Sequence, residues 1–174
     1  MIRERKLSPA IVVTLALLIA VVSAVSLSAR RKPLGEAPRI DFQTTGSPQG
    51  ALRQFLDEDF VILKNVDSLP RPVLEAFTEV GGARRVIANP GQKFEATDFI
   101  RDASIPRRRL IFAGVSGPRC FVLYEQGGRG RYYVLALFQL ISSDNMKPVW
   151  KGQCGDPAKD IADLRSKVKT GKCF

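Results

Sequence analysis

Five arginines, at the start of the first predicted strand and around the predicted turn 127–130, are the residues of this chain best suited to binding chemistry. They are Arg107, Arg108, Arg109, Arg129 and Arg131. Guanidinium groups pair with phosphates and carboxylates, and nearby tyrosines could stack on the bases of a single-stranded nucleic acid. In an extended strand, however, neighbouring side chains point to opposite faces. The five arginines are therefore a candidate anion-binding set that need not form one patch.

Catalytic chemistry has few candidate residues. The chain contains no histidine, which removes the commonest general base and a frequent metal ligand. Serine–histidine–aspartate triads, cysteine–histidine dyads and histidine zinc sites are thereby excluded. The remaining candidates are Asp98, Asp102, Glu125 and the tyrosines, but carboxylates four residues apart are equally typical of a solvated surface. We predict no catalytic residues, no metal site and no cofactor.

The three cysteines, Cys120, Cys154 and Cys173, allow one intramolecular disulfide at most. Cys120 begins the second predicted strand and Cys154 ends the fourth, so these two lie at opposite ends of a meander. A terminal helix that runs back across the sheet would carry Cys173 towards Cys120. A helix over 157–169 would separate Cys154 from Cys173 by about 18 Å, and bonded cysteines need Cα atoms within about 7 Å. We predict a Cys120–Cys173 bridge, with Cys154–Cys173 as the alternative and the absence of a bridge left open.

These residues are positioned by the stretch from Arg107 to Gly152. It contains four runs rich in β-branched and aromatic residues, separated by Gly-, Pro-, Asn- and Asp-containing segments at 116–118, 127–130 and 143–145. This pattern indicates consecutive antiparallel strands. The glycine-rich segment 127–130 precedes no helix, so it is predicted as a hairpin turn and not as a phosphate-binding loop. The stretch, about 107–152, is predicted as a four-stranded antiparallel meander. Residues 60–63 and 84–88 are candidates for further strands.

The third predicted strand, from Tyr132 to Ile141, carries apolar side chains at odd and even positions alike. Both faces of the sheet should therefore be covered, at least in part. The last strand contains Lys147 and Pro148, residues typical of a sheet edge.

A C-terminal helix is predicted to cover one face of the sheet. Asp156 suits its N-cap, Pro157 suits its first position, and the apolar stripe consists of Ile161, Leu164 and Val168. Helices packed on an antiparallel meander define an α+β fold. By analogy of architecture alone, one candidate topology is the helix on a curved sheet of cystatin-like and nuclear-transport-factor-like proteins.

The N-terminal segment 1–29 is predicted as a signal-anchor helix. Basic residues precede it, and from Leu7 to Ala29 there is no charged residue, which is long enough to span a bilayer. Small residues near its end leave a cleaved signal peptide as the alternative, although Arg30-Arg31-Lys32 directly after Ala29 disfavours cleavage there. A buried helix of a soluble protein is a third alternative.

Three segments follow from these patterns: the anchor 1–29, a proline-containing tether 30–48, and one α+β globular domain over 49–174. The chain carries 27 basic and 17 acidic residues, a net charge of +10. Without Arg3, Glu4, Arg5 and Lys6 of the first segment, 24 basic and 16 acidic residues remain, so the rest of the chain is +8. A basic domain is attracted to polyanions.

We expect a single-pass protein of the inner cell membrane, held by residues 9–29, with the domain facing the periplasm or outside; secretion after cleavage is the alternative. Basic residues flank both ends of the span in equal number, so the orientation is the weakest part of this prediction. The function expected is a non-enzymatic binding or structural module that engages an envelope protein or an anionic polymer. Export disfavours nucleic acid. The alternative is a ligand-binding or hydrolytic domain with a cavity under a curved sheet, in which Tyr124, Tyr132 or Glu125 would turn inward.

Overall fold

The computed structural model describes residues 48–78, 86–97, 102 and 104–173. The predicted anchor, 1–29, and nearly all of the tether, up to residue 47, lie outside the described residues, as does Asp98. The described residues form an α+β fold around one sheet, which confirms the predicted class.

The sheet has six strands, against the four that the sequence predicts. In chain order they are β1 (Val61–Leu63), β2 (Ile87–Ala88), β3 (Arg108–Ser116), β4 (Arg119–Gln126), β5 (Tyr132–Ser142) and β6 (Asn145–Cys154). Strands β3 to β6 are each antiparallel to the next, so the predicted meander is confirmed and the strand number is corrected. The two additional strands fall within the candidate strands 60–63 and 84–88 and are three and two residues long.

Both short strands pair with the same edge of β3. Strand β1 runs antiparallel to its C-terminal part, with Val61 opposite Val115, and β2 runs parallel to its N-terminal part, with Ile87 opposite Arg108. The strand order β1-β3-β4-β5-β6 leaves β6 on the opposite edge, as its lysines and proline predict.

The first face of the sheet is covered by a 3-10 turn, Val66–Ser68, and by the short helix α2, Arg71–Ala76. Val73 and Phe77 are fully buried there, and Phe77 meets Tyr124 edge to face with ring centroids 5.3 Å apart. They pack on apolar residues of β3, β4 and β5, which include Leu110, Cys120, Val122, Tyr124, Val134, Ala136 and Phe138.

The second face is covered by α1, Pro48–Asp57, and by α3, Ile161–Lys169. Helix α1 contributes Phe55, and α3 contributes Leu164 and Val168, all buried. They pack on Phe112, Phe121, Leu123, Leu135, Leu137 and Trp150. The prediction that both faces are covered is confirmed, and the arrangement differs from a curved sheet with helix on one side only.

Helix α3 begins four residues later than the sequence predicts. Asp160, and not Asp156, is its N-cap, and the Asp160 side chain accepts a hydrogen bond from the Asp163 amide at 2.8 Å. Asp163 accepts in turn from the Lys159 amide at 3.0 Å, and this bond holds the pKa of Asp163 below its usual value. These two side-chain bonds to backbone amides, which resemble a capping box, place the start of the helix at Ile161. The predicted apolar stripe of this helix is confirmed.

The disulfide joins Cys154 to Cys173, the alternative pair, with Cα atoms 4.0 Å apart. The preferred Cys120–Cys173 pairing is corrected because Cys120 packs on the first face of the sheet, whereas α3 and Cys173 pack on the second. The late start of α3 removes the distance objection. Residues 155–160 lead away from Cys154, and the nine-residue helix returns, so that the Gly155 amide donates to the Lys172 carbonyl at 3.1 Å.

The disulfide leads to a stability prediction. A crosslink that closes a loop of about 20 residues stabilises a domain by about 3 kcal/mol, chiefly by restricting the unfolded chain. Reduction should lower the free energy of unfolding by about that amount, measured by urea denaturation with and without a thiol reductant. A Cys120→Ala variant should respond to the reductant like the wild type, whereas a Cys154→Ala/Cys173→Ala variant should not respond. Equal responses of all three proteins would contradict the assigned pairing.

Candidate functional site

Glu125 is the buried acid at the centre of the arginine-rich end of the sheet. It lies on β4 with 2% of its surface exposed, opposite Arg109 of β3. Arg109 donates from Nε at 3.1 Å and from Nη2 at 2.7 Å to Oε2 of Glu125. Arg131 pairs with the other oxygen, Oε1. Both carboxylate oxygens are therefore engaged, and the three side chains form an ion triad on the second face of the sheet.

Arg109 also connects this triad to the loop that follows β2. Its guanidinium lies over the ring of Phe94, 4.4 Å from the ring centroid, and Nη1 donates to the Gln92 carbonyl at 3.4 Å. All three of its donor nitrogens thus have an acceptor or ring partner. Arg109 is a structural cation, because each contact it makes is internal to the domain.

Arg108, the preceding residue, points to the first face. Its Nε donates to Oε1 of Gln126 at 3.0 Å, and its guanidinium carbon lies 5.8 Å from the Phe77 ring centroid and 6.0 Å from that of Tyr124. Its Nη1 is buried without a hydrogen-bond acceptor. Burial raises the pKa of the Tyr124 phenol to about 12, although the Arg108 charge opposes that shift. Burial and the same arginine lower the pKa of Lys151.

The two remaining arginines have exposed side chains: Arg129 lies in the turn between β4 and β5, and Arg107, directly before β3, lies beside that turn. The Gly127 amide donates to the Arg107 carbonyl at 2.9 Å. A Cβ atom at Gly127 would collide with the Glu95 carbonyl, and Gly128 has a φ of +143°. The glycines therefore serve close packing and turn geometry, which confirms the predicted hairpin turn.

The structure thus brings all five candidate arginines to one end of the sheet and divides them into three groups. Arg109 and Arg131 neutralise Glu125 on one face, Arg108 packs on aromatic rings of the other, and Arg107 and Arg129 extend from the turn. The alternation argument anticipates the division between faces. It does not anticipate the pairing with Glu125, which depends on the register between β3 and β4.

A second polar cluster, at the opposite end of the sheet, has no signature in the sequence. Glu58, just after α1, pairs with Arg119 of β4, and the Glu58 carbonyl accepts from Arg165 of α3. The partners are 61 and 107 residues apart along the chain. A cavity of about 30 Å³, roughly one water molecule in size, lies beside Arg119 under α1. These contacts join α1 to both the sheet and α3.

The candidate acid–base residues are not arranged for proton transfer within the described part of the chain. Glu125 is held by two arginines, Tyr124 is buried against Phe77, and Asp102 accepts from the Ser104 amide at 2.7 Å. An open groove of about 650 Å³ lies instead at the β2 edge of the sheet. Its lining includes Asp67, Asn89, Gln92 and Lys93. The interior under both sheet faces is filled by apolar side chains, which argues against a ligand cavity there.

The thiol of Cys120 gives a prediction about reactivity. Burial raises the pKa of this thiol to about 12, so very little reactive thiolate exists near neutral pH. Iodoacetamide at pH 8 should leave Cys120 unmodified in the native protein and alkylate it in urea, as judged by peptide mass spectrometry. Rapid alkylation of the native protein would show that Cys120 is not enclosed by the first face.

The Glu125 triad gives a stability prediction. Removing one partner from a buried ion pair leaves an uncompensated charge and costs about 3 kcal/mol or more. Glu125→Gln should therefore lower the free energy of unfolding by about that amount, measured by urea denaturation. The matched control is Glu75→Gln, because Glu75 forms an exposed pair with Arg71 and should change stability by about 0.5 kcal/mol at most. Equal effects of the two substitutions would contradict the structural role of Glu125.

Among the described residues, no helix is long and apolar enough to cross a membrane. Within the same residues, no group of three or more cysteine, aspartate or glutamate side chains could hold a metal ion. No family model, curated protein or solved structure matches the chain.

Proposed function

We propose that this chain is a membrane-tethered, non-enzymatic binding module of the cell envelope. Residues 9–29 anchor it in the inner cell membrane as a single span, 30–48 form the tether, and the domain of 49–174 faces the periplasm or outside. The uncharged stretch from Leu7 to Ala29 supports the anchor, since a span needs about 20 apolar residues.

The observation that carries the proposal is the Cys154–Cys173 disulfide. Disulfides persist in oxidising compartments and are rare in the reducing cytoplasm. This bond fastens the end of α3 to the edge strand β6, where Cys154 and Cys173 also form a backbone bridge. Because both sulfur atoms lie in a buried cluster, the bond belongs to the folded core and is not an accidental surface contact. An exported domain is the simplest setting for such a bond.

Binding is favoured over catalysis because the buried ionisable groups stabilise the fold and are not accessible to a substrate. Glu125 neutralises Arg109 and Arg131, and the Cys120 thiol is kept protonated by burial. By contrast, Arg107 and Arg129 present exposed charge at one end of the sheet. Exposed guanidinium groups favour an anionic component of the envelope as the partner.

The redox state of the cysteines in cells tests this proposal. We expect acid-quenched cells expressing the full chain to contain oxidised Cys154 and Cys173, so that a polyethylene-glycol maleimide adds to one thiol, Cys120, after denaturation. A chain without residues 1–29 should stay in the cytoplasm and accept three labels. Three labels on the full chain would contradict export of the domain.

Two controls complete that experiment. A Cys120→Ala variant of the full chain should accept no label, which verifies that the single label reports Cys120. Alkaline carbonate should leave the full chain in the membrane pellet. Release into the supernatant, together with loss of the N-terminal peptide in mass spectrometry, would replace the anchored form by the secreted one.

A further inference from the structure

The charge of the domain is distributed unevenly between the two ends of its strands. We call the end where β3 begins and β4 ends the arginine end; it is defined by Arg107, Arg108, Arg109, Arg129 and Arg131. Five positive charges face the single negative charge of Glu125, so these six residues carry +4. Two further acids, Glu95 and Asp102, lie in the adjoining loop and reduce this excess without cancelling it.

Arg107 and Arg129 are available to a partner because, unlike the exposed Arg131, they do not pair with Glu125. Glu125 draws on Arg109 and Arg131, whereas the Arg107 and Arg129 side chains have no ion-pair partner within the described part of the chain. The Arg107 guanidinium lies against the β4–β5 turn, where its Nη2 is 3.7 Å from the position of a Cβ on Gly128. Arg107 and Arg129 therefore belong to the same exposed tip.

The opposite end of the sheet has a different balance. Asp57 and Asp59 precede β1, Asp144 lies in the β5–β6 turn, and Glu58 is paired with Arg119. Arg71 pairs with Asp144 and with Glu75. The acids of this end thus offset the nearby cations Arg71, Arg119, Lys147 and Arg165. The domain is consequently dipolar along its strands, with the positive pole at the arginine end.

We propose that the arginine end docks on the anionic phospholipid headgroups of the membrane that holds the chain. This inference rests on the proposed anchor. A random coil over 30–47, the proposed tether before α1, has a root-mean-square length of about 25 Å, comparable to the size of the domain, so either end can reach the bilayer. Charge then decides which end docks, because each arginine close to an anionic surface raises the ratio of docked to undocked domains about five-fold.

The full chain reconstituted in lipid nanodiscs tests this orientation. A donor dye is placed at the arginine end by Gly130→Cys or at the opposite end by Ser143→Cys, both in a Cys120→Ala background. A Cβ at Gly130 meets no atom within 4 Å, and Ser143 is exposed. With an acceptor dye on the headgroups, energy transfer should be higher from residue 130 than from residue 143 in discs containing phosphatidylglycerol. In purely zwitterionic discs the two values should converge.

Matched charge variants separate docking from other effects. Arg107→Gln/Arg129→Gln leaves the Glu125 triad intact and should lower the ratio of docked to undocked domains about 25-fold. Arg53→Gln/Lys147→Gln removes the same charge elsewhere and should leave that ratio unchanged. Equal transfer from both sites in anionic discs, or an unchanged ratio in the first variant, would overturn the proposal. A chain that does not remain in the discs would instead refute the anchor, which is a distinguishable failure.

Discussion

The meander carries apolar side chains on both of its faces, and the remaining structure follows from the need to remove both faces from water. Burial of each aliphatic or aromatic side chain contributes about 1.5–3 kcal/mol to the free energy of folding. An uncovered face would therefore cost more than the net stability of a small domain. The chain meets this need with segments from both sides of the meander in sequence. Residues before it supply α1 and α2, and residues after it supply α3. Glu58, directly after α1, joins that helix to Arg119 of the sheet and to Arg165 of α3, and so holds α1 on the second face.

The arginine end shows how one buried acid organises a charged surface. Without Glu125, Arg109 would be a cation packed against Phe94 with no counter-ion, and Arg131 would lie beside it. With Glu125 present, the guanidinium groups of Arg109 and Arg131 have fixed positions. The positive charges that remain unpaired are those of Arg107 and Arg129. The same residue type thus occurs in two environments at one end of the sheet: Arg109 and Arg131 neutralise Glu125, whereas Arg107 and Arg129 remain exposed.

The sequence predicts the features that depend on neighbouring residues. Turn residues and apolar runs are local, so the four hairpin-connected strands, the edge position of β6 and the stripe of α3 are all correct.

Features that depend on register or on distant segments are not predictable in this way. The sequence indicates candidate strands at 60–63 and 84–88, but not that β1 and β2 both pair with β3, and the contacts of Glu58 span 61 and 107 residues. The disulfide prediction fails for the same reason. Which face Cys120 occupies depends on strand parity, and where Cys173 arrives depends on an N-cap three residues beyond the predicted start of the helix. The five arginines are recognisable as a set, but their division requires the pairing of Arg109 with Glu125.

The shared edge of β3 has a consequence for the order of folding. Strands β1 and β2 are synthesised before the strand that they pair with, whereas each strand from β4 to β6 follows its partner after a turn of two to five residues. Pairings with short loops form fastest, because they lose the least chain entropy on closure. We therefore expect the hairpins of β3 to β6 to form first. Strands β1 and β2, from the preceding segment, would then pair with the edge of β3. During synthesis that segment emerges ahead of β3 and is therefore the part of the chain most exposed to misassociation before folding is complete.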